Sequence, residues 1–134
     1  MSLVILLAGT NDLGWDRDIN EIVKDITSLH ELCHNNGAHT IAIGIPESGY
    51  QYSVSDAKEK ATLLNTELEK YCSQSQAKAT ASASTSKAAA YYMPFPFVYE
   101  PNGINWSPDT LHFSKQGYKV LGESLVPFIE KIFT

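Results

Sequence analysis

The sequence is short of basic residues and has no long apolar run, and each shortage excludes a class of protein. Its 10 Lys and Arg residues stand against 15 Asp and Glu residues and form no cluster, so we expect no nucleic-acid-binding surface. No apolar run is long enough to cross a bilayer, so we expect no membrane span. The apolar residues 3–8 have no basic region before them, so we do not expect a signal peptide there.

Cysteine is also scarce. Cys33 and Cys72 are the only two, and their spacing does not fit a metal site. We therefore expect free thiols in a reducing compartment, which favours a cytoplasmic protein, while one disulfide between the two is the alternative.

The length of 134 residues and a hydrophobic content of 43% predict a single domain over residues 1–134. Residues 73–90 contain only Ser, Ala, Thr, Gln and Lys, and without large apolar side chains they cannot contribute to a core. We interpret them as a low-complexity insertion, either a flexible surface segment or a helical extension, with a binding element as the alternative.

Hydrophobic patterns alternate between strands and helices along the rest of the chain. Residues 3–8 form a continuous apolar run, which is typical of a strand covered on both faces, and residues 39–45 and 91–93 predict two more strands. Helical spacing appears between these runs and again after Ser114, while residues 47–53 are expected to form a loop. The last helix is expected to bury the apolar residues Tyr118, Leu121, Leu125, Phe128, Ile129 and Ile132. This order predicts an α/β fold with parallel strands.

Two short polar motifs carry the chemistry of the chain. Gly9-Thr10-Asn11-Asp12 directly follows the first predicted strand, and Asp109-Thr110-Leu111-His112 lies in the loop before the last helix. Functional groups of α/β sheets gather at the carboxyl ends of the strands, so we expect both motifs to face one rim.

Each residue type in these motifs suits a step of acyl transfer. Asp109 can bind one ring nitrogen of His112 and leave the other free to take a proton from a hydroxyl nucleophile. The side-chain amide of Asn11, at a strand tip, is a donor for the oxyanion of a tetrahedral intermediate. Gly9 and Asp12 are expected to support the turn, with Asp12 accepting backbone N–H groups.

Other polar and aromatic residues have simpler interpretations. His30 and His34 have the spacing of a two-histidine metal site, but without a neighbouring Glu motif we expect a partly exposed helix surface and no metal. His39, at a strand start, is expected to be solvated. Trp106 and Tyr118 either line an acyl or sugar pocket or pack around the loop, and packing is the expected role.

The two motifs resemble the G-x-N-D and D-x-x-H blocks of the SGNH (GDSL) hydrolases. The surroundings agree, because an apolar strand precedes the first block and residues 113–118 lead from the second into an amphipathic helix. Leu63-Leu64-Asn65 also resembles the helix that the family places between these blocks. The resemblance covers nearly the whole chain outside residues 73–90.

This resemblance implies a layered α/β/α fold with a parallel sheet and an esterase or lipase-like activity that needs no cofactor. The implied substrates are small acyl esters, lysophospholipids or acetylated sugars. Residue by residue, it implies Asn11 as oxyanion donor, His112 as general base and Asp109 as the partner that orients the base.

The chain departs from the family in one important respect. The family's nucleophile lies in a G-D-S block, and another block supplies a glycine N–H to the oxyanion hole, but neither block occurs in this sequence. Ser107 and Ser114 are not expected to replace the nucleophile, and Ser114 is expected to cap the last helix. We therefore expect a family core truncated to about three strands and weak or inactive alone. The alternative is a degenerate, non-enzymatic relative that binds a ligand or partner.

The same departure predicts an association surface. In the family's sheet two strands precede the one that residues 3–8 resemble, so their loss leaves this apolar strand as an open edge. Open apolar edges associate readily, and we expect a homodimer in which two copies of residues 3–8 pair antiparallel across a two-fold axis.

Overall fold

Three strands alternate with helices along the chain, in a computed structural model that describes residues 1–81 and 87–134. The elements are β1 (Ser2–Leu6), α1 (Thr10–Gly14), α2 (Ile19–Asn35), β2 (Ala38–Ile43), α3 (Gly49–Ser53), α4 (Ala57–Ala81), β3 (Ala90–Met93) and α5 (Lys115–Phe133). None of the helices in these two ranges is long and apolar enough to cross a membrane.

The strands form one parallel sheet in the order β1-β2-β3. Leu3 pairs with His39 and Thr40 pairs with Ala90, so β2 is the central strand with a partner on each side. The connections between parallel strands must cross over, and α2 and α4 supply the helices of these crossovers. The α/β architecture with a parallel sheet, expected from the alternating pattern, is confirmed.

The strand β1 lies at an edge and is only partly covered. Among the described strands it pairs with β2 alone, and Ile5 is 41% exposed. The expectation that this apolar run is covered on both faces is therefore wrong, and the sheet order separately leaves one backbone edge of the strand unpaired among the described strands.

Local sequence signals define helix α2 at both ends. The Asp18 side chain accepts the backbone N–H groups of Asn20 and Glu21, which would otherwise lack partners in the first turn. Gly37 has a φ of 78°, the left-handed conformation that ends the helix where the Asn36-Gly37 pair predicts it.

The main apolar core lies among α1, α2 and α4. Its buried members are Leu13, Ile22, Ile26, Ile45, Ala61, Leu64 and Leu68. Asn65 ties α4 to the residue that follows the central strand, because its side chain accepts the N–H of Ile45 at 2.7 Å and donates to the carbonyl of Ile45 at 3.1 Å. The Leu64-Asn65 pair thus combines core packing with a polar clamp.

The chain divides into two compact units. One contains residues 1–45 and 59–94, and hence the sheet, α1, α2 and most of α4. The other contains residues 46–58 and 95–134, and hence α3 and α5. The single domain expected over residues 1–134 stays a prediction.

Three segments bear on the remaining predictions from the sequence. The loop expected at residues 47–53 instead contains the helix α3, which is too short for periodicity to reveal. Tyr118 is 58% exposed, so the expectation that α5 buries it is wrong, whereas Leu121 is buried. Of the predicted insertion at residues 73–90, the first part continues α4 to Ala81, and residues 82–86 lie outside the described ranges.

Candidate active site

Asp109 and His112 form a hydrogen-bonded pair in the loop before α5. Nδ1 of His112 lies 2.6 Å from Oδ2 of Asp109. An ionised carboxylate can only accept, so Nδ1 carries the proton and Nε2 of the neutral ring keeps a free lone pair. The His112 side chain is 70% exposed, so a hydroxyl from outside this loop can reach the free nitrogen.

The backbone holds the carboxylate of this pair in its ionised form. Oδ1 of Asp109 accepts the N–H groups of Leu111 and His112, each at 2.9 Å. The backbone N–H of His112, followed by its ring and the N–H of Leu111, lowers the pKa of Asp109 from 3.8 to about 2. Asp109 is therefore an anion at neutral pH and fixes the tautomer of the ring beside it.

Hydrogen bonds within the loop fix the position of the pair. The N–H of Ser107 donates to the carbonyl of His112 at 2.8 Å, and the N–H of Thr110 donates to the carbonyl of Ser107 at 2.9 Å. An aromatic cluster packs around this loop, formed by Phe95, Phe97, Tyr99, Trp106, Phe113 and Tyr118. Trp106 is buried and its indole N–H donates to the carbonyl of Val98, so it packs in this cluster, and it also lines a cavity beside the loop.

The two serines near the pair are engaged elsewhere. Ser114 accepts the N–H of Gly117 at 3.1 Å and donates to the carbonyl of Ile104, which confirms it as the cap of α5. The hydroxyl of Ser107 donates to the carbonyl of Phe113 at 3.1 Å. Both hydroxyls therefore serve the loop.

The other motif begins where the chain leaves β1. Gly9 has a φ of 114° and is buried, and a Cβ atom there would lie 2.7 Å from Cδ1 of Ile45, so only glycine fits this turn. Asn11 follows in the first turn of α1, where it is exposed. Within the described ranges its side-chain amide has no hydrogen-bond partner, which leaves both amide hydrogens available.

Asp12 has a different partner from the one predicted. Its Oδ1 binds the guanidinium of Arg17 at 2.7 Å, and the same guanidinium binds Asp25 at 2.7 Å. The prediction that Asp12 accepts backbone N–H groups is therefore wrong. It supports the turn through an ion pair, which a sequence motif of four residues does not contain.

The two motifs belong to different units of the chain. The meeting of Asn11 with His112 at one rim therefore stays a prediction. Within its own unit, the loop of Asp109 and His112 contacts a segment that sequence reasoning missed, since the N–H of Gly49 donates to the carbonyl of Thr110 at 3.0 Å. A Ser-Gly pair after the carboxyl end of a central strand was the available signal.

A cavity of about 360 Å³ adjoins the loop of the Asp–His pair and is lined by Tyr99, Asn102, Ser107 and Thr110, among others. A larger cavity of about 590 Å³ has Glu31 and Tyr71 in its lining, and neither cavity is lined by Asn11, Asp109 or His112. The smaller cavity is therefore the better candidate for a substrate, because it borders the loop that carries the chemistry.

The histidines of α2 do not lie where the sequence suggested. His30 is fully buried, with Nδ1 2.6 Å from the Thr40 hydroxyl, and Nε2 of His34 lies 3.0 Å from the same hydroxyl. The prediction of a partly exposed helix surface is thus wrong for His30. Burial, followed by the neighbouring His34, lowers the pKa of His30 from 6.5 to about 4. Across the described ranges, no group of three or more His, Cys, Asp or Glu residues could hold a metal ion.

His39 is also less solvated than expected. Its Nδ1 accepts the N–H of Ala89 at 3.0 Å, and its ring packs edge-on against Tyr91. The histidine therefore helps to join the starts of β2 and β3, and the prediction of a solvated ring is wrong.

The family model described as GDSL-like lipase/acylhydrolase matches residues 1–125. Two solved structures share the fold. A protein of Bacteroides fragilis assigned as an acylhydrolase is 21% identical with a TM-score of 0.77, and the alignment covers 99% of this chain and 63% of that one. A GDSL-like lipase of Bacteroides thetaiotaomicron is 22% identical with a TM-score of 0.74, with coverages of 98% and 63%. The chain thus spans less than two thirds of either structure, and no curated protein matches it.

Proposed function

Because this chain belongs to the family of GDSL-like lipases and acylhydrolases, we propose that it carries the base and an oxyanion donor of a carboxylic-ester hydrolase. The observation that supports this most directly is the bond between Nδ1 of His112 and Asp109, with Nε2 free and exposed. The exposed, unpaired amide of Asn11 supports the second role.

In the proposed reaction, Nε2 of His112 takes the proton from a serine hydroxyl as that oxygen attacks the ester carbonyl. The ionised Asp109 stabilises the imidazolium that forms, and the Asn11 amide donates to the oxyanion. His112 then returns the proton to the leaving alcohol, and water releases the acyl group by the same steps. The substrate class is a small acyl ester, and the cavity beside Thr110 would receive one part of it.

The nucleophile is the open part of this proposal. The 134 residues contain no Gly-Asp-Ser sequence. Ser48 is buried and its hydroxyl has no partner within the described ranges, but nothing links it to the His112 ring. We therefore propose that a serine outside residues 1–134 completes the triad. The competing proposal is a degenerate relative without acyl chemistry, and the same missing serine favours it.

Hydrolysis of p-nitrophenyl acetate separates the two proposals. The assay compares this chain with a version that carries an upstream Gly-Asp-Ser strand end from a family member. We expect turnover from the extended version and a loss of about 10⁴-fold in kcat for its Asp109→Asn variant, because the neutral amide favours the wrong tautomer. Glu123→Gln, an exposed carboxylate on α5, is the matched control and should keep full activity. An inactive extended version would favour the degenerate relative.

We also propose that two copies of the chain pair through β1. The edge of this strand is open among the described strands, and Ile5 and Leu7 are each about two fifths exposed. Leu29 and Leu32 on helix α2 are exposed as well. Light scattering at micromolar concentration should give the mass of two chains. The mass of one chain would reject the dimer.

The location of the protein is proposed from its thiols. Cys33 and Cys72 are both free, and Cys72 is buried. Free thiols are typical of reducing compartments, which supports a cytoplasmic protein. Oxidation of these cysteines in air during purification does not identify the compartment, even when the fold is kept. The direct measurement is therefore fractionation of the source cell.

A further inference from the structure

Thr110 has an unusual backbone conformation in the middle of the Asp–His motif. Its φ is 63°, in the left-handed region that a residue branched at Cβ rarely adopts. Such a conformation persists only where the surrounding structure imposes it. Thr110 directly follows Asp109, whose Oδ1 accepts the N–H groups of Leu111 and His112, so the unusual turn and the capped carboxylate are parts of one loop.

Gly49, the first residue of α3, contacts this turn directly. Its N–H donates to the carbonyl of Thr110 at 3.0 Å. A Cβ atom built on Gly49 would lie 2.5 Å from Cβ of Thr110, 2.7 Å from its hydroxyl and 2.9 Å from Cζ of Tyr99. Real Cβ atoms do not approach other atoms so closely, so only glycine allows this approach. The backbone at the start of α3 therefore presses directly against the strained residue.

We propose that Gly49 and Thr110 are positioning residues that hold Asp109 and His112 in their bonded geometry through this close contact. Gly49 touches no reacting atom and acts only through Thr110. The inference rests on the proposed function for its catalytic meaning, since positioning affects turnover only if His112 is the base. The contact itself can be tested without any turnover.

NMR titration of this chain provides the test. The titration of the Asp109 carboxyl reports its bonds to the N–H groups of Leu111 and His112, and the chemical shifts of the His112 ring nitrogens report its tautomer. In the unchanged chain the pKa of Asp109 should be near 2, and in Gly49→Ala it should rise towards 3.8 as those bonds are lost. The ring of His112 should then lose its single tautomer.

Two further variants isolate the cause. Gly122→Ala, on α5, is the matched control, because a Cβ atom there meets nothing within 4 Å, and its titration should not change. The double variant Gly49→Ala/Thr110→Gly removes the Thr110 side chain, which is closer to the new methyl group than the ring of Tyr99, and glycine adopts the left-handed conformation without strain. The low pKa of Asp109 should therefore return in the double variant.

Three results would overturn the inference. The first is a Gly49→Ala chain whose Asp109 and His112 signals match those of the unchanged chain. The second is a shift in Gly49→Ala that the added Thr110→Gly does not reverse, since the effect would then not pass through Thr110. If Gly49→Ala does not fold, a folded double variant with a low Asp109 pKa supports the inference, and an unfolded double variant is the third contrary result. The NMR signals of Asp109 and His112 can be measured even if the chain has no hydrolase activity, so failure of this inference is distinguishable from failure of the proposed function.

Discussion

Acidification should destabilise this protein through His30 before it protonates most carboxylates. His30 is fully buried, its Nδ1 contacts the Thr40 hydroxyl, and its Nε2 has no partner within the described ranges. Glu31 and Tyr71 lie beside His30, and the Tyr71 hydroxyl donates to Glu31 rather than to the His30 ring. Glu31 favours the charged ring, but burial and the neighbouring His34 outweigh it, so the folded state keeps the ring neutral.

The direction and size of the effect follow from the two pKa values of this ring. Burial lowers the pKa of His30 from 6.5 to about 4, so between these values the unfolded chain binds a proton that the folded chain does not. The contribution to stability is therefore complete above pH 6.5 and is lost as the pH falls towards 4. At about 1.4 kcal/mol per pKa unit, the free energy of unfolding should fall by about 3 kcal/mol over this range. His34, whose pKa burial also lowers, adds a loss of the same sign.

Urea unfolding followed by far-ultraviolet circular dichroism at a series of pH values measures this loss. The informative variant is His30→Leu, because leucine has a similar volume and the Thr40 hydroxyl keeps His34 as its partner. We expect the variant to lose most of the pH dependence between pH 6.5 and about 5, where most carboxylates are still ionised. An unchanged dependence in His30→Leu would refute the reasoning and assign the acid sensitivity to other groups.

Two further predictions concern stability and use the same unfolding assay. Gly117→Ala should destabilise the protein by about 2 kcal/mol or more, since the new Cβ atom would lie 2.1 Å from the carbonyl oxygen of Asn105. Gly122→Ala on the same helix should stabilise the protein by about 0.5–1 kcal/mol, because a Cβ atom there meets nothing within 4 Å. Equal effects of the two substitutions would contradict the packing of Gly117. Asn65→Ala should cost about 2 kcal/mol, because it removes both hydrogen bonds to the backbone of Ile45; a loss below about 0.5 kcal/mol would show that water replaces the clamp.

Most of the fold could be predicted because its signals are local. The apolar runs gave all three strands to within two residues, and the Asn36-Gly37 stop and the Ser114 cap marked helix ends correctly. Short elements were the exception, since α3 has too few turns for a periodic pattern to emerge. Burial was harder to predict than secondary structure, and His30 and Tyr118 were assigned to the wrong environments.

The sequence by itself placed Asp109 and His112 within reach of each other, because the side chains of residues three apart in a turn lie close together. Only the tertiary structure decided what surrounds that bond. Gly49 is distant in the sequence from the Thr110 that it contacts, and no local pattern encodes a close approach of two backbones. The physical reason is that spacing along the chain decides which side chains of a turn lie within reach of each other, whereas contacts between distant segments depend on how the whole chain packs.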